Sequence, residues 1–277
     1  MSLPSAIARL GAEDLDACLQ LAADRGWQPE RRKWALLFDV GEVYGIRDPA
    51  GGLAASVTLT RYEPHLAVVS MMLVASRFGR RGLGRRLMTH VLAQAGDATV
   101  FLYATPLGRP LYEQVGFRAI AGTTTCVGRF TGAPAGGTRP AQERDRDAIL
   151  ALDAAAVGAD RSDLLTRYFR LAEQLRVLEL DGAVCGFAAA APNVDAVVVG
   201  PLIAPDLGAA RTLIADVASG VDAPVRLDLD HRHDGLREWA AERGVAPRSD
   251  TSLMVHGDRE LPGARERLVL PVTQALG

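Results

Sequence analysis

Residues 68–92 read VVSMMLVASRFGRRGLGRRLMTHVL, and the rest of the chain is arranged around this stretch. The apolar run Val68, Val69, Met71, Met72, Leu73 and Val74 is rich in β-formers and predicts a buried strand. A segment crowded with Gly and Arg follows, from Arg77 to Gly84. From Leu83 onward, Leu83, Leu87, Val91 and Leu92 fall at helical spacing. Strand, Gly-Arg turn and helix together form an anion-binding arrangement, because the first helical N–H groups lack partners and the positive dipole end faces the turn. Gly82 and Gly84 have no Cβ, so a phosphate oxygen can approach the main chain, and Arg80, Arg81, Arg85 and Arg86 add positive charge. The stretch reads as a pyrophosphate cradle.

Spacing excludes two common cradles. A Walker loop needs Gly-Lys-[Ser/Thr], and the sole lysine, Lys33, is far away. A dinucleotide fingerprint needs a third glycine where Leu87 stands. The loop instead resembles the acyl-CoA loop of the GNAT N-acetyltransferases, [Q/R]-x-x-G-x-[G/A], with Gly79 in place of the Gln or Arg. A second segment, LYATPLGRPLYEQVGF at 102–117, is similar to that family's N-x-x-A-x-x-L-Y-x-x-x-G-F. Leu111, Tyr112, Gly116 and Phe117 match, with Thr105 where Asn is usual and Gly108 where Ala is usual.

The resemblance implies acetyl-CoA as cosubstrate. Its pyrophosphate would rest on Gly79, Arg80, Arg81, Gly82, Leu83, Gly84 and Arg85, with Thr105 close by and the pantetheine along Met72, Leu73 and Val74. Tyr112 is the implied general acid for the departing thiolate, and a tyrosine packed at the core's rim is the competing reading. Glu63 and His65 flank the entrance to the central strand, where family members often keep a carboxylate; they are candidate bases, or else exposed turn residues. Trp27 and Trp34 lie in the two-helix region that covers the acceptor side in this family. They are candidate acceptor-pocket residues, against the reading of an aromatic stripe packing helix on sheet.

A chain of 277 residues exceeds one ordinary core, so two domains are expected. Residues 1–130 read as the catalytic domain and the Gly/Pro-rich stretch 131–138 as a linker. Residues 139–277 read as a degenerate copy without the CoA loop that helps line the acceptor site. In that copy the cradle is replaced by IAPDLGAARTL (203–213), and Arg237 takes the tyrosine's place. The phrases GADRSDLL and VGPLIAPD resemble the C-terminal domain of YitH-type tandem GNAT proteins. The expected fold class is therefore α/β (α+β), with two GNAT-like domains, each a mixed, mostly antiparallel sheet flanked by helices.

A net charge of −2 carries no global basic field, which argues against nucleic acid as a partner. Cys18, Cys126 and Cys185 are isolated and fit a reducing cytoplasm. No apolar run approaches the roughly 20 residues of a membrane span, and nothing at the N-terminus reads as a signal peptide. The run Asp230, His231, Arg232, His233, Asp234 has no third ligand cluster, so it reads as a turn and no metal is expected. With one lysine among 31 Lys and Arg, Lys-based catalysis is all but excluded. The function implied is direct acetyl transfer from acetyl-CoA to an amine, most simply that of a small molecule. A non-catalytic acyl-CoA-binding module is the alternative.

Overall fold

The computed structural model describes residues 6–233 and 235–277. The first half runs β1 (Ile7–Arg9), α1 (Leu15–Asp24), α2 (Arg31–Val40), β2 (Glu42–Arg47), β3 (Leu53–Tyr62), β4 (Leu66–Val74), α3 (Leu83–Ala95), β5 (Thr99–Ala104), α4 (Arg109–Gln114) and β6 (Phe117–Gly128). The second half repeats the series with β7 (Thr138–Pro140), α5 (Arg146–Val157), α6 (Ser162–Phe169), β8 (Gln174–Leu180), β9 (Ala183–Pro192), β10 (Val197–Ile203), α7 (Leu207–Ala218), β11 (Val225–Asp230), α8 (Leu236–Ala241) and β12 (Ala246–His256). One further strand, β13 (Leu268–Leu270), has no counterpart in the first half. The internal repeat read from the sequence is thus reproduced element by element.

The local causes are ordinary. The β2–β3 hairpin turns through DPAGG, where the Asp48 carboxylate accepts the Ala50 N–H at 2.9 Å. Helix α3 buries Leu83, Leu87, Met88 and Val91 along one stripe. Strand β3 is covered on both faces from Leu53 to Thr60, as a central strand requires.

The halves share one sheet, in the order β1-β2-β3-β4-β5-β12-β6-β11-β10-β9-β8-β7, with β13 beside β10. The repeats exchange their last strands. Strand β12 lies antiparallel to β5 of the first half, and β6 lies antiparallel to β11 of the second. The exchanged strands also pair with each other along nearly their whole length, from Phe117↔His256 to Val127↔Ala246. The larger apolar core accordingly takes side chains from both halves, among them Leu59, Phe101, Leu165 and Phe187.

Each half contains one parallel pair that opens into a V. Strands β4 and β5 pair only from Leu66↔Thr99 to Val68↔Phe101, then diverge. Strands β10 and β11 pair at Val197↔Val225 and Val198↔Arg226, then diverge. In the first half the V leads into a cleft. In the second, β13 enters it and pairs antiparallel with β10, Leu202↔Leu270 and Ile203↔Leu268.

Candidate active site

The cleft has a volume of about 990 Å³ and opens where β4 leaves β5. Its wall includes Val69–Val74 on β4, the turn Gly79–Arg85, and Thr105, Gly108 and Tyr112 at and before α4. Strand β4 carries a bulge here: the register with β3 shifts between Ser56 and Thr58, and Met71 adopts a left-handed φ of 48°. Among the described residues its β5-facing edge beyond Val68 has no strand partner, so main-chain groups are open to the cleft.

The turn before α3 presents uncapped N–H groups beside three arginines. Arg80 (φ 58°) and Gly82 (φ 79°) are left-handed, and this alternation curls successive N–H groups toward one concave side. Gly82 is the helix N-cap and supplies no side-chain cap, so the first N–H groups of α3 remain available. Arg77 is drawn off to the buried Asp48, and hydrogen bonding to Ala50 N–H and Arg77 holds that carboxyl below its ordinary range. Arg85 donates to Gln114 Oε1 at 2.6 Å. Arg80 makes no ion pair among the described residues, and Arg81 lies over the Phe78 ring at 5.5 Å. The second half differs at the same point: the Asp206 carboxylate caps α7 by accepting Ala209 N–H at 2.8 Å. That helix end carries its own anion.

Tyr112 is buried, with its ring edge-on to Phe117 at 6.1 Å. Burial pushes its hydroxyl up to about 12, so it stays protonated across the working range. Gly108 explains one departure from the motif, since a Cβ there would meet the Tyr112 ring at 3.0 Å. Thr105 Oγ1 accepts Gly108 N–H at 3.2 Å and steadies the turn into α4.

Every residue expected at the donor end therefore lines this one cleft: Met72, Leu73, Val74, Gly79 to Arg85, Thr105 and Tyr112. Of the two tryptophans expected at the acceptor, Trp27 lines the cleft, 39% exposed, whereas Trp34 does not. Trp34 is fully buried in the core beside Phe38, at 6.3 Å, so the packing reading replaces the pocket reading. Glu63 and His65 are also corrected. Both are exposed in the turn before β4, and His65 to Met72 is roughly 23 Å along an extended strand. Glu63 O instead accepts Asp160 N–H at 2.7 Å, a tie between the halves.

The sequence reading missed the rest of the cleft wall, which Gln28, Glu30, Lys33, Thr125, Arg226 and Gln274 line. Lys33 Nζ and Glu30 Oε2 are 2.6 Å apart. Gln28 Nε2 donates to Asp195 Oδ2 at 2.8 Å, joining the halves at the surface. Lys33 carries a signal in the sequence, as the one lysine in an arginine-rich chain. The histidines of 231–233 are otherwise engaged: His231 Nε2 bonds Thr124 Oγ1 at 2.8 Å and His233 Nε2 bonds Leu268 O at 3.2 Å. Asp230 holds Arg232, and Asp234 lies outside the described residues. No group of metal-ligating side chains is found among the described residues, and none of their helices is long and apolar enough to cross a membrane.

Known proteins share this fold. Two family models, each described as an acetyltransferase (GNAT) domain, match residues 50–132 and 149–269. The chain is 26% identical over its whole length to the whole of the Bacillus subtilis (strain 168) N-acetyltransferase YitH, itself described as uncharacterized. Among solved structures it superposes on a GCN5-related N-acetyltransferase from Sphaerobacter thermophilus with a TM-score of 0.65 at 16% identity, covering 95% of this chain and 99% of that one. A tandem GNAT protein from the clavulanic acid biosynthesis pathway gives 0.63 at 16%, covering 92% and 99%. The chain belongs to the GNAT acetyltransferases and carries two such domains in tandem.

Proposed function

We propose that the first half, residues 1–130, binds acetyl-CoA in this cleft and passes its acetyl group directly to the amine of a small molecule, while residues 139–277 wall the acceptor side and bind no CoA. The observation that carries the reading is the contrast between the two V-shaped openings. The first leads to an uncapped helix N-terminus in a left-handed Gly/Arg turn. The second is filled by β13, and its helix is capped by Asp206. A pantetheine arm hydrogen-bonds like an added strand, and in the second half the chain's own strand takes that place.

Each group in the first half has a definite task. The N–H groups between Arg80 and Arg85 hold the pyrophosphate, and Arg80 and Arg81 add charge from the rim. The open edge of β4 from Met72 to Val74 holds the pantetheine and offers N–H donors to the thioester oxygen. The acceptor nitrogen must arrive as a free amine, because an ammonium has no lone pair. Tyr112 delivers a proton to the sulfur as the C–S bond breaks. Its raised pKa keeps it loaded but makes it a weak acid, so its contribution is modest.

Calorimetric titration with acetyl-CoA is expected to give one site per chain. Arg80→Ala/Arg81→Ala should weaken binding about 10- to 100-fold, the size of two charge-assisted contacts at a partly wet rim. Two sites per chain, or unchanged affinity in the variant, would overturn the assignment. Tyr112→Phe should keep that affinity and lower kcat about 10- to 100-fold. An unaltered kcat would remove Tyr112 from the mechanism.

A further inference from the structure

The charged side chains lining the cleft divide unevenly. Arg80, Arg81 and Arg85 belong to the cradle, and Arg25 stays beside it, bonded to Ser76 Oγ at 3.0 Å. Away from the cradle remain Glu30 and Lys33 from the start of α2, and Arg226 from β11 of the other half. Among the described residues Glu30 is the only carboxylate that lines the cleft, and no histidine lines it.

The bonding leaves capacity on all three. Arg226 gives Nε and Nη2 to the buried Asp228, which leaves Nη1 uncommitted among the described residues. Thr125 and Gln274 also donate to Asp228 Oδ1, at 2.6 and 3.0 Å, so Arg226 shares that carboxylate with two neutral donors. Lys33 spends one of its three N–H donors on Glu30. An arginine at position 33 would grip both oxygens of Glu30 in a fork, whereas an ammonium holds one and leaves the other free. Burial pulls the Lys33 pKa down against the opposing pull of Glu30; the charge of Arg226 lowers it further and that of Asp228 raises it.

We propose that this cleft takes an amine that also bears an anionic group, an amino-acid-like zwitterion, with Glu30 receiving and deprotonating its ammonium and Lys33 with Arg226 receiving its anion. The inference rests on the acetyl-transfer reading above. In the step, Glu30 takes one proton from the ammonium, and the freed lone pair forms the C–N bond to the acetyl carbon. The C–S bond breaks and sulfur takes the Tyr112 proton. The second nitrogen proton restores Tyr112, and the proton on Glu30 passes to solvent. A polyamine or an aminoglycoside is a poor fit, because after one ammonium meets Glu30 the others face Lys33 and Arg226.

The test is a steady-state panel with acetyl-CoA: amino acids each beside their carboxamides, 2-aminoethylphosphonate and spermidine. The acid forms should exceed their carboxamides at least 10-fold in kcat/KM. A preference for the phosphonate over the amino acids would name phosphate-like acceptors as the anionic class. Lys33→Met should collapse the acid-over-carboxamide preference through KM, with acetyl-CoA affinity reporting that the variant is folded. Glu30→Gln should lower kcat about 100-fold and remove the acid limb of the kcat/KM profile, and Glu30→Asp should restore part of both. The proposal is overturned if carboxamides or spermidine match the acids, if Lys33→Met lowers both forms alike, if Glu30→Gln keeps its rate and acid limb, or if acetyl-CoA binds and no zwitterion is acetylated. Absence of acetyl-CoA binding in the unmodified protein would instead remove the reading beneath it.

Discussion

Arg161→Met is expected to destabilise the protein by about 3–5 kcal/mol, the cost of leaving one member of a buried ion pair without its partner. Arg161 is 2% exposed; its Nε and Nη2 grip both oxygens of the buried Asp153 at 3.0 and 2.7 Å. It also donates to Gly277 O and lies over the Tyr62 ring at 5.8 Å, so one side chain of the second half reaches into the first. Burial works against its charge, and the neighbouring Asp153 outweighs that, so its pKa is raised overall. Against a typical stability of about 5–15 kcal/mol, the variant is left marginal or unfolded. Urea denaturation followed by circular dichroism measures the loss. Arg161→Met with Asp153→Leu should recover much of it, because removing both charges leaves neither stranded. A single variant with unchanged midpoint and slope would show that the pair does not hold the halves together.

The second large effect is alkaline unfolding. Tyr62, Tyr112 and Tyr168 are each at least nine-tenths buried, and burial raises all three hydroxyls, that of Tyr112 to about 12. Above pH 10 an unfolded chain releases these protons while the folded one keeps them. Stability is fully present below pH 10 and falls as pH rises, by about 1.4 kcal/mol per pH unit per tyrosine, or about 4 kcal/mol per unit for the three. Cooperative unfolding is expected between about pH 11 and 12. Tyrosinate absorbance near 295 nm should rise with the loss of far-ultraviolet ellipticity instead of before it. Smooth tyrosine ionisation around pH 10 in a protein that stays folded would show that the three rings are solvated.

The donor end was legible because its parts are contiguous. Val68 to Leu92 supplies strand, turn and helix in one run, and Leu111 to Phe117 supplies the tyrosine in another. The base failed for the converse reason. Glu63 and His65 adjoin β4 in sequence, but they sit at the end where β4 and β5 are still paired, and the cleft opens at the other. Trp34 failed because an aromatic on an amphipathic helix reads alike whether it faces a pocket or a sheet. Glu30, Thr125, Arg226 and Gln274 come from four separate segments, and only the tertiary fold brings them to one wall. The strand exchange was invisible on principle: β6 and β12 occupy equivalent places in the repeat, so their patterns do not say which half each joins.

That exchange also sets the order of events during synthesis. Thr123 on β6 and Thr251 on β12 are bonded neighbours 128 residues apart in the chain. At about 5–20 residues per second, roughly 6–26 s pass between them at the ribosome, and for that time β5 has no partner for its outer edge. The first half cannot complete its sheet as it emerges. The open edge of β5 offers the same hydrogen bonds to its own β12 and to that of a second chain until the chain's own strand arrives.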